Sequence, residues 1–490
     1  MIAVDRKAAK PLHKQIYDAY RTMIVGRSLD AGQQIPSTRS LAVELRISRI
    51  PVLTAYAQLL AEGYFEARAG AGTFVCSSLP EQMTSSARRA NRSAEVRSGS
   101  RAVARRTMLL PPYETLPWLR GFGAFSVSQP ALDEFPFKVW SSIEMRHCRS
   151  PHASELQYGG PMGTESLREA ICTYLRTARA VQCDPNQVMI VTGSQQALEI
   201  SARVLLDVGS PAWVEEPGYW LTRHVLTAAG CRLIAVPVDS EGMDVVAGIK
   251  LCRRARAVYV APSHQYPLGA TMSASRRLQL LDWAQSSGSW VIEDDYDSEY
   301  RYGSMPIASL QGLDHNSRVI YIGTFSKTLF PSLRLGYVVI PPDLVGRFAA
   351  VRYATDIGPP YFYQAVVTDF INEGHFARHI RRMRLLYGQR RAALVKALRE
   401  EFGSRLDVLG ADAGMHLVVT LPAGFRDQEL AARAAREKLW LWPLSPSYLG
   451  RTSRQGFILG FGSTTETEMP NAVRHLKRVL MGGQKSQSAS

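Results

Sequence analysis

A lysine just beyond an apolar run constrains this chain more than any other feature. In YIGTFSKTLFPSLRLGY, residues 321–337, the β-type residues Val319, Ile320, Tyr321 and Ile322 lead into a Thr-Phe-Ser turn. Lys327 follows, and Arg334 comes seven residues later. From about residue 113 strand-like and helix-like patterns alternate, so this run reads as one strand of an α/β sheet. An amine at such a place can form a Schiff base with an aldehyde. Hydroxyls and a guanidinium beside it can hold a dianionic phosphate.

The chain has 490 residues, enough for a large domain with an appendage. Apolar residues make up 46%, which supports a sizeable core. The net charge of +15 is unevenly spread. Residues 1–110 carry 17 Lys and Arg against 8 Asp and Glu, so the N-terminal quarter is matched to a polyanion. The six cysteines form no C-x-x-C pair, which indicates neither a zinc site nor a disulfide scaffold. That usage fits a reducing cytoplasm. No run approaches 18 apolar residues, so no membrane span is expected.

Residues 11–76 read as three helices and a hairpin. Ile16, Tyr20, Met23 and Ile24 form a helical stripe. Ser37 is placed to cap a short second helix and Ser48 a third. In the third, Val52, Leu53, Tyr56, Leu59 and Leu60 are expected on one side, and Pro51 falls harmlessly in the first turn. Tyr64-Phe65, Gly70-Ala71-Gly72 and Thr73-Phe74-Val75 read as a two-stranded wing with a glycine tip. Helix, turn, helix and wing is a layout for binding double-stranded DNA. PSTRSLA, SR at 48–49, AYAQLLAEG and GAGTFV resemble, in order, the winged helix-turn-helix of the GntR regulators. The resemblance implies DNA contacts from Arg39 and Arg49, a phosphate contact from Ser48, and a wing near Arg68 and Gly70 at the minor groove. Ile50, Pro51 and Leu53 depart from the polar or basic residues usual there, so base readout rests on fewer polar side chains.

Residues 77–112 are rich in Ser, Ala and Arg and read as a flexible linker. Beyond it, QYGGPMG at 157–163 and VTGSQQ at 191–196 are turns into helices, whose first N–H groups suit phosphate. SWVIEDDYDSEYRY, 289–302, begins as an apolar strand and ends in acids.

With Lys327, these motifs resemble the pyridoxal-phosphate site of the type I aminotransferases. The resemblance implies that Lys327 is the Schiff-base lysine and that Ser194, Gln195, Thr324 and Arg334 hold the phosphate. It implies that Tyr219 stacks on the pyridine ring, with Trp220 one register away. Asp294, 33 residues before the lysine, faces the ring nitrogen, with Asp295 as the alternative, and Tyr296 donates to the ring oxygen. Type I sites form at a dimer interface, so Tyr158 is expected to reach the phosphate in the partner subunit. Tyr266 stands where the enzymes carry an asparagine, and Ile458 where they carry the arginine that binds an α-carboxylate.

Taken together, the chain resembles the MocR (GabR-type) regulators. That implies an α/β fold class: a winged helix-turn-helix at 1–76, a linker at 77–112, and an aminotransferase-like domain at 113–480 ending in a small α+β subdomain. A disordered tail is expected at 481–490. The resemblance further implies a homodimer, with head-to-tail exchange of the DNA domains. In it pyridoxal 5′-phosphate, alone or joined to a small amine or amino acid, is sensed. No resident metal is expected. The rival reading is a working aminotransferase with a DNA-binding appendage.

Overall fold

The computed structural model describes residues 2–77, 103–113, 121, 123–303 and 307–487. It divides into two compact units, Met1–Ala102 and Val103–Ser490. Most of the expected linker, including its arginines at 88–101, lies outside the described residues. Its last part is ordered: Arg105–Leu109 form a 3-10 turn of the second unit.

In the first unit α1 spans Leu12–Val25, α2 Thr38–Glu44 and α3 Arg49–Ala61. Ser37 caps α2 through a 3.1 Å bond from the Ser40 N–H. Ser48 precedes α3 but its side chain makes no cap bond. The helices close over Ile16, Ile24, Val52, Leu59 and a trio of rings, Tyr20, Tyr56 and Phe65, edge to face at 5.2–5.6 Å. The expected stripe of α3 needs one correction. Leu53 is 43% exposed, and Ala55 takes its place in the core with Val52, Tyr56 and Leu59. At 100° per residue position 53 lies on the flank, which the apolar character of leucine disguises. The wing is the antiparallel pair β1 (Phe65–Arg68) and β2 (Gly72–Val75), with Gly70 at φ +75° in its turn.

The second unit is built on eight strands: β3 (Val188–Val191), β4 (Pro211–Glu216), β5 (Arg232–Asp239), β6 (Gly242–Met243), β7 (Ala257–Val260), β8 (Trp290–Asp295), β9 (Val319–Thr324) and β10 (Gly336–Val339). Their order is β3-β10-β9-β8-β7-β4-β5-β6, and the run from β9 to β5 is parallel. Strands β7, β8 and β9 are buried along their whole length, because helices cover both faces. That explains why β7 and most of β9 read as apolar runs and why β8 begins as one before its acids. A small antiparallel sheet follows, β11 (Asp407–Leu409), β12 (His416–Thr420), β14 (Gly456–Gly460) and β13 (Trp442–Pro443) in that order. The last helix, Met469–Gln487, continues into the tail expected to be disordered. Met469, Val473 and Leu476 bury it, and a packed helix propagates easily past its anchored turns. No helix among the described residues is long and apolar enough to cross a membrane.

Candidate cofactor site and DNA-binding face

Strands β3, β4, β7, β8 and β9 all end on the same edge of the sheet, and the chemistry gathers there. Lys327 lies three residues beyond β9, with its Nζ 3.1 Å from the carbonyl oxygen of Ser128. Burial lowers the pKa of its amine to about 8, although Asp297 and Asp294 pull the other way. Asp294 and Asp295 end β8 side by side, and their surroundings separate them. Asp295 is committed: Arg179 Nε donates to it at 2.7 Å and the Tyr321 hydroxyl at 2.5 Å. Asp294 accepts from the Tyr259 hydroxyl at Oδ2. The Oδ1 of each aspartate is buried without a partner, but Asp295 has its charge balanced by the Arg179 guanidinium, whereas Asp294 lies within the field of Lys327. Burial pushes this carboxyl up to about 6. An orphaned carboxylate oxygen of this kind is what a protonated ring nitrogen would satisfy.

A second group of residues suits an anion. The helix Ser194–Leu205 opens at Gly193, whose φ of +132° favours glycine. A Cβ there would stand 3.2 Å from Arg334 Nη2. Ser194 and Gln195 thus begin a helix whose free N–H groups and an arginine converge. Thr324 ends β9 with its Oγ1 3.0 Å from the Ser326 hydroxyl. These residues fit a phosphate, and with Asp294 and Lys327 they fit pyridoxal 5′-phosphate.

Tyr219 is half buried, with its ring 5.2 Å from that of Tyr266. Burial raises its phenol pKa; Asp294 raises it further and Arg334 lowers it, so it lies within the field of both. Trp220 is occupied elsewhere, stacked 6.1 Å from Trp442. Tyr296 bonds to His264, at 2.9 Å to its carbonyl and 3.1 Å to Nδ1. His264 in turn lies 3.1 Å from both oxygens of Asp297. Gly414, at φ +70°, presses on that pair: a Cβ there would come within 2.0 Å of His264 Cε1. The next residue, Met415, donates its N–H to Asp297 at 3.2 Å. The small sheet is therefore fastened to the segment that carries Asp294 and Tyr296. Ile458 is fully buried beside Val418, Leu444 and Tyr266 and offers no charge. Tyr158 stands 89% exposed.

Sequence reasoning did not find Tyr259, Arg179, Ser128 or the His264–Asp297 pair. Each acts across more than 30 residues of chain, and no local pattern marks it.

On the first unit Arg39, Ser48 and Arg49 are exposed together at the starts of α2 and α3. Arg49 Nε bonds Thr38 Oγ1 at 3.0 Å, linking the two helices. Arg68 lies over the Phe74 ring at 4.5 Å and pairs with Glu66. Gly70 at the wing tip has open space around it.

Residues 12–75 match the family model of bacterial regulatory proteins of the gntR family, and residues 124–476 that of class I and II aminotransferases. Fold and site thus define a class: a gntR-type DNA-binding regulator joined to an aminotransferase domain. The chain is 38% identical to the probable rhizopine catabolism regulatory protein MocR of Rhizobium meliloti, over 98% of this chain and 96% of that one. It is 31% identical to the HTH-type transcriptional regulator TauR of Rhodobacter capsulatus, over 92% of each. It belongs to the MocR-type family of transcriptional regulators. Among solved structures, the multiple substrate aminotransferase of Thermococcus profundus matches with a TM-score of 0.72 and 28% identity, covering 78% of this chain and 98% of that one. The α-aminoadipate aminotransferase LysN of Thermus thermophilus matches with 0.69 and 29%, covering 74% and 93%.

Proposed function

We propose that this regulator binds pyridoxal 5′-phosphate at Lys327 and adjusts its grip on operator DNA when the cofactor, or its adduct with a small amine or amino acid, occupies the site. The observation that carries this is the buried, unpartnered Oδ1 of Asp294, on a carboxylate that lies within the field of Lys327 and, unlike Asp295, is not paired with Arg179. The cofactor supplies an aldehyde that captures amines and a ring that draws electrons. Arg334, Thr324 and the helix beginning at Ser194 hold its phosphate. Tyr219 covers the ring, Asp294 keeps the ring nitrogen protonated, and Tyr296 faces the ring oxygen. Tyr158 serves the phosphate in the partner subunit of a homodimer. Arg39, Ser48, Arg49, Arg68 and Gly70 meet the operator.

Two relatives support a link to small-molecule metabolism by their names: one is a probable rhizopine catabolism regulatory protein, and a 29% identical one from Corynebacterium glutamicum is a pyridoxine biosynthesis transcriptional regulator. LysN, crystallised with N-(5′-phosphopyridoxyl)-L-leucine, supports the cofactor. The apolar surroundings of Ile458 weigh against turnover of α-amino acids as the main role, since an α-carboxylate wants a bidentate guanidinium.

The test is optical. Purified protein supplied with the cofactor should gain a visible absorption band, and borohydride should fix a pyridoxyl group on Lys327. Lys327→Ala should show neither. A wild type that stays colourless with excess cofactor would overturn the reading.

A further inference from the structure

The free face of α3 is unlike a helix that reads bases by hydrogen bonds. Arg49 is the only charged residue among its thirteen. Val52, Ala55, Tyr56 and Leu59 face the core. Ile50, Leu53, Thr54 and Ala57, at spacings of three, four and seven, form an exposed ridge on another side. Ile50 is 72% and Leu53 43% exposed. Thr54 is the ridge's one polar side chain, and its hydroxyl donates back to the Ile50 carbonyl at 3.1 Å, so its proton is already used. Gln58, on the flank, is bonded to Glu62 at 2.8 Å. Arg49 apart, the ridge offers DNA mainly carbon and no uncommitted hydrogen-bond donor.

The major groove holds one apolar group, the C5-methyl of thymine. We propose that the operator presents thymine methyls to Ile50 and Leu53, so that part of the sequence is read by apolar contact while Arg49 supplies the polar contact. This rests on the reading of α3 as the helix that enters the groove.

The experiment uses the full-length protein with pyridoxal 5′-phosphate present. Duplexes that it retains are selected from a random 30-base-pair pool. The best one is then remade with uracil in place of thymine, which removes the methyls and leaves the pairing. Affinity should fall about fourfold for each contacted methyl, the worth of one buried carbon, and about tenfold or more for the fully substituted duplex. The Ile50→Ala/Leu53→Ala double variant changes only exposed positions. It should bind the thymine and uracil duplexes alike while keeping its affinity for random DNA. Val43→Ala, on a residue 78% exposed on α2, should keep the full discrimination. Equal affinity of the wild type for both duplexes overturns the proposal. So does discrimination that survives in the double variant, since DNA shape would then be its source. Failure to enrich any duplex over random DNA would instead overturn the DNA reading on which the proposal depends.

Discussion

A buried lysine whose pKa has fallen to about 8 is neutral about a tenth of the time near pH 7, against fewer than one part in a thousand for an ordinary lysine. Only the neutral amine attacks an aldehyde. The rate at which cofactor-free protein captures pyridoxal phosphate should therefore rise about tenfold per pH unit up to about 8 and then level off. Stopped-flow absorbance would measure it, and a rise continuing unbroken to pH 10 would mean that Lys327 is not desolvated. Asp294 makes a prediction of opposite kind. Its folded pKa of about 6 exceeds the ordinary 3.8, so the folded state holds the extra proton between those values. The stability this gives is present at low pH and is lost as pH rises through about 6, a loss of about 3 kcal/mol. A protonated ring nitrogen against Oδ1 removes that loss. The difference in Tm between loaded and cofactor-free protein should then widen from pH 4 to pH 7, and a constant difference would contradict the assignment. Residue by residue, the sequence revealed which types were present more readily than how they were divided. Asp294 and Asp295 are adjacent and alike on the page. Arg179, more than a hundred residues earlier, and Tyr321 engage Asp295, and leave Asp294 to Tyr259 and the field of Lys327.

Among the elements, those governed by local rules were legible. Ser37 caps α2 as expected, the glycine tip makes the wing, and β9 and the first half of β8 announce themselves as apolar runs because both of their faces are covered. Element ends and faces were less so. Leu53 looks like core and is not, and the last helix outruns its apolar stripe to Gln487. Those outcomes depend on tertiary packing, which a window of sequence does not contain. At this scale Arg49→Ala should weaken operator binding by about 1–3 kcal/mol and relax discrimination at one position. Gel-shift titration against the selected and scrambled duplexes would check it, and unchanged discrimination would mean that another residue leads α3 into the groove.

For the molecule as a whole, the proposed function requires that events at Lys327 alter binding at Arg49, and any such coupling is reciprocal. A ligand that changes operator affinity must itself bind more or less tightly, by the same factor, when operator is present. Lys327→Ala should keep its affinity for random DNA and lose the cofactor-dependent part of operator affinity. The measurement is operator affinity at fixed salt for wild type and variant, with and without pyridoxal phosphate. Four identical values would mean that the aminotransferase domain does not report its occupancy. Tyr158, left 89% in solvent by its own chain, extends the argument to genetics. If, as proposed, it completes the site of a neighbour, two defective alleles can rescue each other. A chain lacking Lys327 still lends its tyrosine, and a chain lacking Tyr158 still has its lysine. A cell expressing both should assemble one sound site in every mixed pair and recover part of the response that neither allele gives alone. Lack of any rescue, with mixed pairs shown to form, would place Tyr158 outside the site.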